Sequence, residues 1–337
     1  MNTTRRTLLA AAGGGVLAGT LATPFGRLAL AQAQAQMGIV VKIGGIPWFN
    51  AMEAGIQQGA SDYGMNAWMV GPTQADAAQQ VSAIEDLIAR KVDVIGVVPN
   101  DAAALEPVLG RAKDAGIMVL THESPGQKNA DWDFELTTVD AYGAAHMDLL
   151  AQQMGAAGRY IVYVGSLTVP LHNAWADAAI AYQEEKYPDM EMVGDRFGVA
   201  ESVDDTYRTT LDQLRAHPDL TGILTFGSQG PIGAARALDD RGAAEKVALV
   251  GGFSPGQGQR YVKQGIIRGG FIWNPMLAGQ CFVQIGKMLA EGQQLTDGME
   301  LVEVGPVRVD PETRIIQAQK LEALDKENID RLVELGL

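Results

Sequence analysis

The sequence predicts an α/β fold in which parallel sheets are covered by helices on both faces. Three observations carry this. Short apolar runs alternate with amphipathic ones along nearly the whole chain. The apolar runs are near-continuous rather than alternating, the pattern of strands buried on both faces of a parallel sheet. And 337 residues, 47 % of them apolar, suffice for about two cores at roughly 150 residues each.

The order begins with an address. Arg5-Arg6 precedes a weakly apolar, Gly/Ala-rich run, and Ala29-Leu30-Ala31 offers a small-x-small cleavage pattern. Charged, apolar and cleavage regions in that order predict a signal peptide over residues 1–31, of the twin-arginine type. The run is too short, too glycine-rich and too close to Arg27 to serve as a membrane anchor. Its removal takes three arginines and moves the net charge from −14 to −17. No later stretch is long and apolar enough to span a bilayer, so a periplasmic protein is expected.

Strands are expected at Ile39–Ile43, Val94–Val98, Met118–Thr121, Thr137–Val139, Tyr160–Val164, Gly222–Thr225, Val247–Val250 and Gly269–Ile272. Helices are expected at Ala51–Tyr63, Ala75–Ala89, Leu105–Ala115, Ala141–Met154, Trp175–Lys186, Asp204–Ala216, Pro231–Arg241, Pro255–Gln264 and Pro275–Glu291. The second helix shows the 3.6-residue period plainly, with Val81, Ile84, Leu87 and Ile88 on one face. Asp101 reads as a helix cap, and His146 and His217 as ordinary helical or surface residues.

Open α/β sheets bind ligands beyond the carboxyl ends of their strands. Those ends carry Trp48-Phe49-Asn50, Glu123, His172 with Trp175, Ser228, and Trp273-Asn274. Three of the chain's five tryptophans fall there. Aromatic faces beside hydrogen-bonding groups suit a polyhydroxylated ring, covering its C–H surface and replacing water at its hydroxyls. Lys42, at the end of a buried strand, needs either Glu123 or ligand and water as a partner. Plainer roles compete. Aromatics can simply cap the core, Glu123 can cap a turn, His172 can lead into its helix, and Asn274 before Pro275 reads equally as a helix N-cap.

Other functions fit poorly. The acidic balance, 40 Asp and Glu against 26 Lys and Arg, lacks the basic footprint of a nucleic-acid binder. The single cysteine, Cys281, forms no intramolecular disulfide and is expected only to pack. No histidine spacing suggests a metal site. Gly252-Phe253-Ser254-Pro255-Gly256 matches the hydrolase elbow pattern, but Pro255 has no N–H to donate to an oxyanion, and no histidine follows Ser254. No P-loop or dinucleotide fingerprint is present. Neither a cofactor nor an enzymatic activity is expected.

The Lys42…Trp48-Phe49-Asn50 opening, QQVSAIEDLIARKVDVIGVVP at Gln79–Pro99, IMVLTHE at Ile117–Glu123, Gly227-Ser228-Gln229, LVGGFSP at Leu249–Pro255 and Trp273-Asn274 together carry a resemblance. Their order and spacing resemble the type I periplasmic sugar-binding proteins of ABC importers, in the ribose, rhamnose and autoinducer-2 branch. The resemblance implies two Rossmann-like lobes joined by a three-segment hinge, one of residues 37–140 plus 274–306 and one of 141–273 plus 307–337. It implies a ligand site of Lys42, Trp48, Phe49, Asn50, Glu123, His172, Trp175, Ser228, Trp273 and Asn274, with the aromatics stacking and the others hydrogen-bonding. Glu123 stands where relatives have an Asp, and Leu171-His172 stands where autoinducer-2 binders have Asp-Gln. These departures point to a pentose, deoxy-sugar or polyol. The implied partners are ABC permease subunits, for a chain that acts as a monomer. An alternative role is a receptor for autoinducer-2 or another signal, presented to a chemoreceptor or sensor kinase.

Overall fold

The computed structural model describes residues 34–337, which form one compact unit. The expected signal peptide lies outside the described residues. Among the described residues no helix is long and apolar enough to cross a membrane.

The chain opens with β1 (Gln36–Val40), α1 (Pro47–Tyr63), β2 (Asn66–Val70), α2 (Ala77–Arg90), β3 (Val94–Val97), α3 (Ala102–Asp114), β4 (Met118–His122) and β5 (Trp132–Glu135). β1 pairs in parallel with β2 and β3, and the ladder continues in parallel through β4 to β5. Every residue of β3 is buried, as helices on both faces require. α2 starts on Asp76, whose carboxylate accepts from the amides of Ala78 and Gln79, and α3 starts on Asp101, which accepts from Ala104.

A second sheet follows. α4 (Val139–Met154), β6 (Gly158–Val164), α5 (Pro170–Lys186), β7 (Met190–Met192), β8 (Phe197–Gly198), α6 (Val203–Ala216), β9 (Leu220–Phe226), α7 (Gly230–Arg241), β10 (Ala248–Gly251) and α8 (Pro255–Gln264) repeat the alternation. The sheet runs β10-β9-β6-β7 in parallel, with β8 also on β6. β11 (Gly270–Ile272) then leads to α9 (Pro275–Ala290), which packs back on α1. The remainder is β12 (Glu300–Leu301), β13 (Gly305–Pro306), β14 (Arg308–Asp310), β15 (Ile315–Gln317), β16 (Glu322–Leu324) and α10 (Ile329–Glu334).

Three expectations are corrected. The strand expected at Thr137–Val139 lies earlier, at β5, because Thr138 is the N-cap of α4 and accepts from the Ala141 amide. The first and fifth helices begin at Pro47 and Pro170 rather than at Ala51 and Trp175, since proline's fixed φ and missing N–H suit the first helical position. Segment 307–337, expected whole with the second lobe, divides. β15 pairs in parallel with β5 and β14 lies antiparallel on β15, completing the seven-stranded first sheet. Only from β16, which pairs with β11, does the chain return to the second sheet's side. The chain thus passes between the two sheets three times, after β5, after β11 and after β15.

Candidate functional site

The carboxyl ends of β1 and β4 and the loops of the second sheet converge on one cavity, open to solvent. Its charged core is Lys42. Two residues beyond β1, this side chain is only 2 % exposed. Its position is braced from below. Gln80 donates to the carbonyls of Val41 and Val98, Asn100 donates to the carbonyl of Lys42, and the Asn100 amide donates to Gln80. These bonds tie the ends of β1 and β3 together, so the ammonium is aimed by a fixed backbone.

Lys42 Nζ donates to Glu123 Oε2 at 2.5 Å and sits 3.3 Å from Glu201 Oε1 and 2.8 Å from His172 Nε2. Lys42 and Glu123 come from the first sheet. His172, on α5, and Glu201, in the loop between β8 and α6, come from the second. Burial alone would lower the Lys42 ammonium, but the two carboxylates outweigh it and raise its pKa. Burial alone would raise the Glu123 carboxyl, but Lys42 and then His172 hold it well below the usual carboxylate range. Burial, and then Lys42, push the His172 imidazole below its ordinary value, so it is neutral. Glu123 also holds a left-handed backbone, φ 59°, which costs a residue with a Cβ about 1 kcal/mol or more and marks a position fixed by its surroundings.

His172 is short of lone pairs. Its Nδ1 accepts from the Gly165 amide at 3.1 Å, while Nε2 faces the Lys42 ammonium. A neutral imidazole has one acceptor nitrogen, so one of these two donors meets an N–H instead. An oxygen placed between Lys42 and His172 would accept from both. Two further donors are unmatched: the indole Nε1 groups of Trp175 and Trp273 are buried with no partner among the described residues. Each such group costs about 1–3 kcal/mol until an acceptor arrives.

The walls are aromatic. Trp48 meets Trp273 edge-on at 5.6 Å between ring centroids, and Trp273 lies 5.4 Å from both Trp175 and Tyr142. The Trp175 ring is stacked by His172 and packed by Tyr142 at 4.3 Å, so protein rings already cover its faces. Tyr142 is itself pinned, donating from its hydroxyl to the Phe271 carbonyl.

Of the ten residues expected at the site, Lys42, Trp48, Phe49, Glu123, His172, Trp175, Ser228 and Trp273 line this one cavity. Two do not. Asn50 lies inside α1 and is exposed, because the helix starts at Pro47 and turns that side chain outward. Asn274 Oδ1 is occupied in accepting from the Met276 and Leu277 amides as the N-cap of α9. Glu201 and Tyr142 are cavity residues that the sequence reading missed. Tyr142 lies within an expected helix, where nothing distinguishes a cavity-facing aromatic from a core one. His146 lies within α4, as its helical reading expects. It is fully buried, its Nδ1–H donating to the Tyr142 carbonyl and its Nε2 accepting from the Phe271 amide.

The arrangement offers fixed donors, fixed acceptors and aromatic walls. Glu123 is held ionised by its partners and so is not a general acid. Ser254, in the elbow-like motif, is buried with no hydrogen-bond partner for its hydroxyl among the described residues. Among the described residues no group of three or more His, Cys, Asp and Glu side chains is placed to hold a metal ion.

Comparison with known proteins agrees with the fold. The ribose import binding protein of Salmonella typhimurium is 22 % identical over 79 % of this chain and 88 % of its own. A xylitol-binding protein of Mycolicibacterium smegmatis is 26 % identical over 77 % of this chain and 68 % of its own. Among solved structures, LsrB from Clostridium saccharobutylicum in complex with AI-2 superposes with a TM-score of 0.83 at 22 % identity, covering 88 % of this chain and 99 % of that one. An ABC transporter solute-binding protein from Clostridium phytofermentas with bound L-rhamnose gives 0.82 at 24 % identity, covering 90 % and 99 %. A family model described as a periplasmic binding protein domain matches residues 37–294, from the middle of β1 to just past α9. With that span covering most of the chain and every residue of the cavity, the chain belongs to the periplasmic binding protein domain family.

Proposed function

We propose that this protein is the extracytoplasmic solute-binding component of an ABC importer, capturing a small sugar or polyol between its two sheets and delivering it to a permease. It works outside the cytoplasm after loss of residues 1–31, acts as a monomer, and performs no chemistry on its ligand. The observation that carries the reading is the set of unmatched donors inside an aromatic cavity. Trp175 Nε1, Trp273 Nε1 and one of the donors around His172 each call for an oxygen, and hydroxylated ligands supply several at once. Ring contacts by Trp48 and Trp273 cover the ligand's C–H surface, and the second oxygens of Glu123 and Glu201 accept from its hydroxyls. Binding proteins named for ribose and xylitol, and a neighbour holding L-rhamnose, support the same class of ligand.

The three passages of the chain between the sheets, and the supply of cavity residues by both, support two lobes that close on the ligand by a hinge motion. Selectivity follows from the buried donors, because a ligand lacking the matching oxygen leaves them unpaired. Three tryptophans at the cavity make intrinsic fluorescence the direct assay. Titrating ligand-stripped protein with ribose, arabinose, rhamnose, xylitol and related pentoses and polyols gives a saturable signal with at least one of them. Silence across the panel from correctly folded protein rules the reading out.

A further inference from the structure

We propose that the ligand of this cavity carries one positive charge beside its hydroxyls, as an amino-deoxy sugar, an imino sugar or an aminated polyol does. The inference rests on the sugar-binding reading above and sharpens it. It comes from the charges that line the cavity. Among the described residues Lys42 is the one cation that lines it, against two carboxylates, Glu123 and Glu201. His172 is sandwiched between the Gly165 amide, Lys42 and the Trp175 ring, and contributes no charge. The lining therefore carries one net negative charge.

The contacts show where that charge is available. Lys42 is shared unequally, tight on Glu123 Oε2 and looser on Glu201 Oε1 at 3.3 Å. Each carboxylate keeps a second oxygen outside these ion pairs. Glu201 is the less compensated of the two, and its side chain is only 6 % exposed. That extra charge is already buried without a full partner, which is unfavourable in a low-dielectric site, and a neutral ligand leaves it so. A ligand ammonium beside Glu201 cancels it. The walls favour the same solution, because the π face of tryptophan attracts cations and Trp48 and Trp273 line the space. The unmatched indole donors remain for the ligand's oxygens. A ligand with one basic nitrogen and several hydroxyls thus matches the charge, the donors and the walls together.

The test is calorimetric titration of the ligand-stripped protein at pH 7 with matched pairs: xylitol against 1-amino-1-deoxyxylitol, D-arabinose against its 1,4-imino pentitol, and L-rhamnose against an amino-deoxy counterpart. At least one basic member is expected to bind about tenfold or more tighter than its neutral partner, the scale of one cation–π or ion-pair preference. That preference should vanish when pH is raised through the ligand's own amine pKa. It should also vanish in Glu201→Gln, with circular dichroism reporting that the variant is folded. Neutral members binding as tightly as basic ones, or a preference that survives either change, overturns the inference and leaves sugar binding intact. If no member of either series binds folded protein, it is the sugar-binding reading that fails, and this inference with it.

Discussion

Lys42 holds the cavity together, and its legibility in the sequence was partial. A lysine ending an apolar strand demands a partner, and Glu123 at the next strand end but one was a natural choice. Glu201 was not legible. It lies between a two-residue strand and the N-cap of α6, in a polar stretch whose spacing carries no period. The converse error was Asn274. An asparagine before proline suits a cap and a ligand contact alike, and only the accepted amides of Met276 and Leu277 decide it. Asn274→Ala should therefore cost about 1 kcal/mol of stability, the usual value of an N-cap, while leaving ligand affinity unchanged. A large loss of affinity in a variant of unchanged fold would return Asn274 to the site. Lys42→Met should be far harsher. It leaves Glu123 and Glu201 buried without their counter-charge, and chemical denaturation should show a loss of about 3–5 kcal/mol. His146 supplies a pH signature. Burial lowers its pKa from the ordinary 6.5 to about 4. The unfolded chain then binds a proton between those values that the folded chain refuses. Its contribution is complete above pH 6.5 and is lost as pH falls toward 4. The stability gap between wild type and His146→Gln should accordingly shrink by about 3 kcal/mol from pH 7 to pH 4. A constant gap would contradict a neutral, buried imidazole.

At the scale of elements, long amphipathic helices and fully buried strands were legible because burial dictates their composition. All nine expected helices and seven of the eight expected strands are present, with shifted ends. The elements missed were short or edge strands and the six-residue α10. β2 is half-exposed at the sheet edge, and β14, β15 and β16 are three residues each, too short for a period to register. The contact of α1 with α9 was also invisible, since it depends on two glycines far apart in sequence. A Cβ on Gly55 would overlap the Met276 carbonyl, and one on Gly279 the Met52 carbonyl. The two helices thus approach backbone to backbone. Gly55→Ala should push them apart and cost about 1–3 kcal/mol, read as a lower melting temperature. No change in melting would mean that the helices have room to spare.

For the whole molecule, the alternation of elements revealed the class of fold, and the resemblance supplied the idea of two lobes. The exact threading was not legible, because strand order depends on pairings between residues as distant as Asp133 and Ile315. The cavity draws Lys42 and Glu123 from one sheet and His172 and Glu201 from the other, so ligand and closure are one event. Small-angle scattering should show the ligand-stripped protein contract when a bound sugar is added, and no contraction would mean that closure precedes the ligand. The most direct test of the central claim is isothermal titration of ligand-stripped wild type and Glu123→Gln with the panel of pentoses, deoxy-sugars, polyols and their amino counterparts. The account predicts one saturable site per chain in wild type, and affinity lowered at least about tenfold in the variant, the value of one charge-assisted hydrogen bond. Folded wild type that binds none of these ligands, or a variant that binds as tightly as wild type, would contradict it.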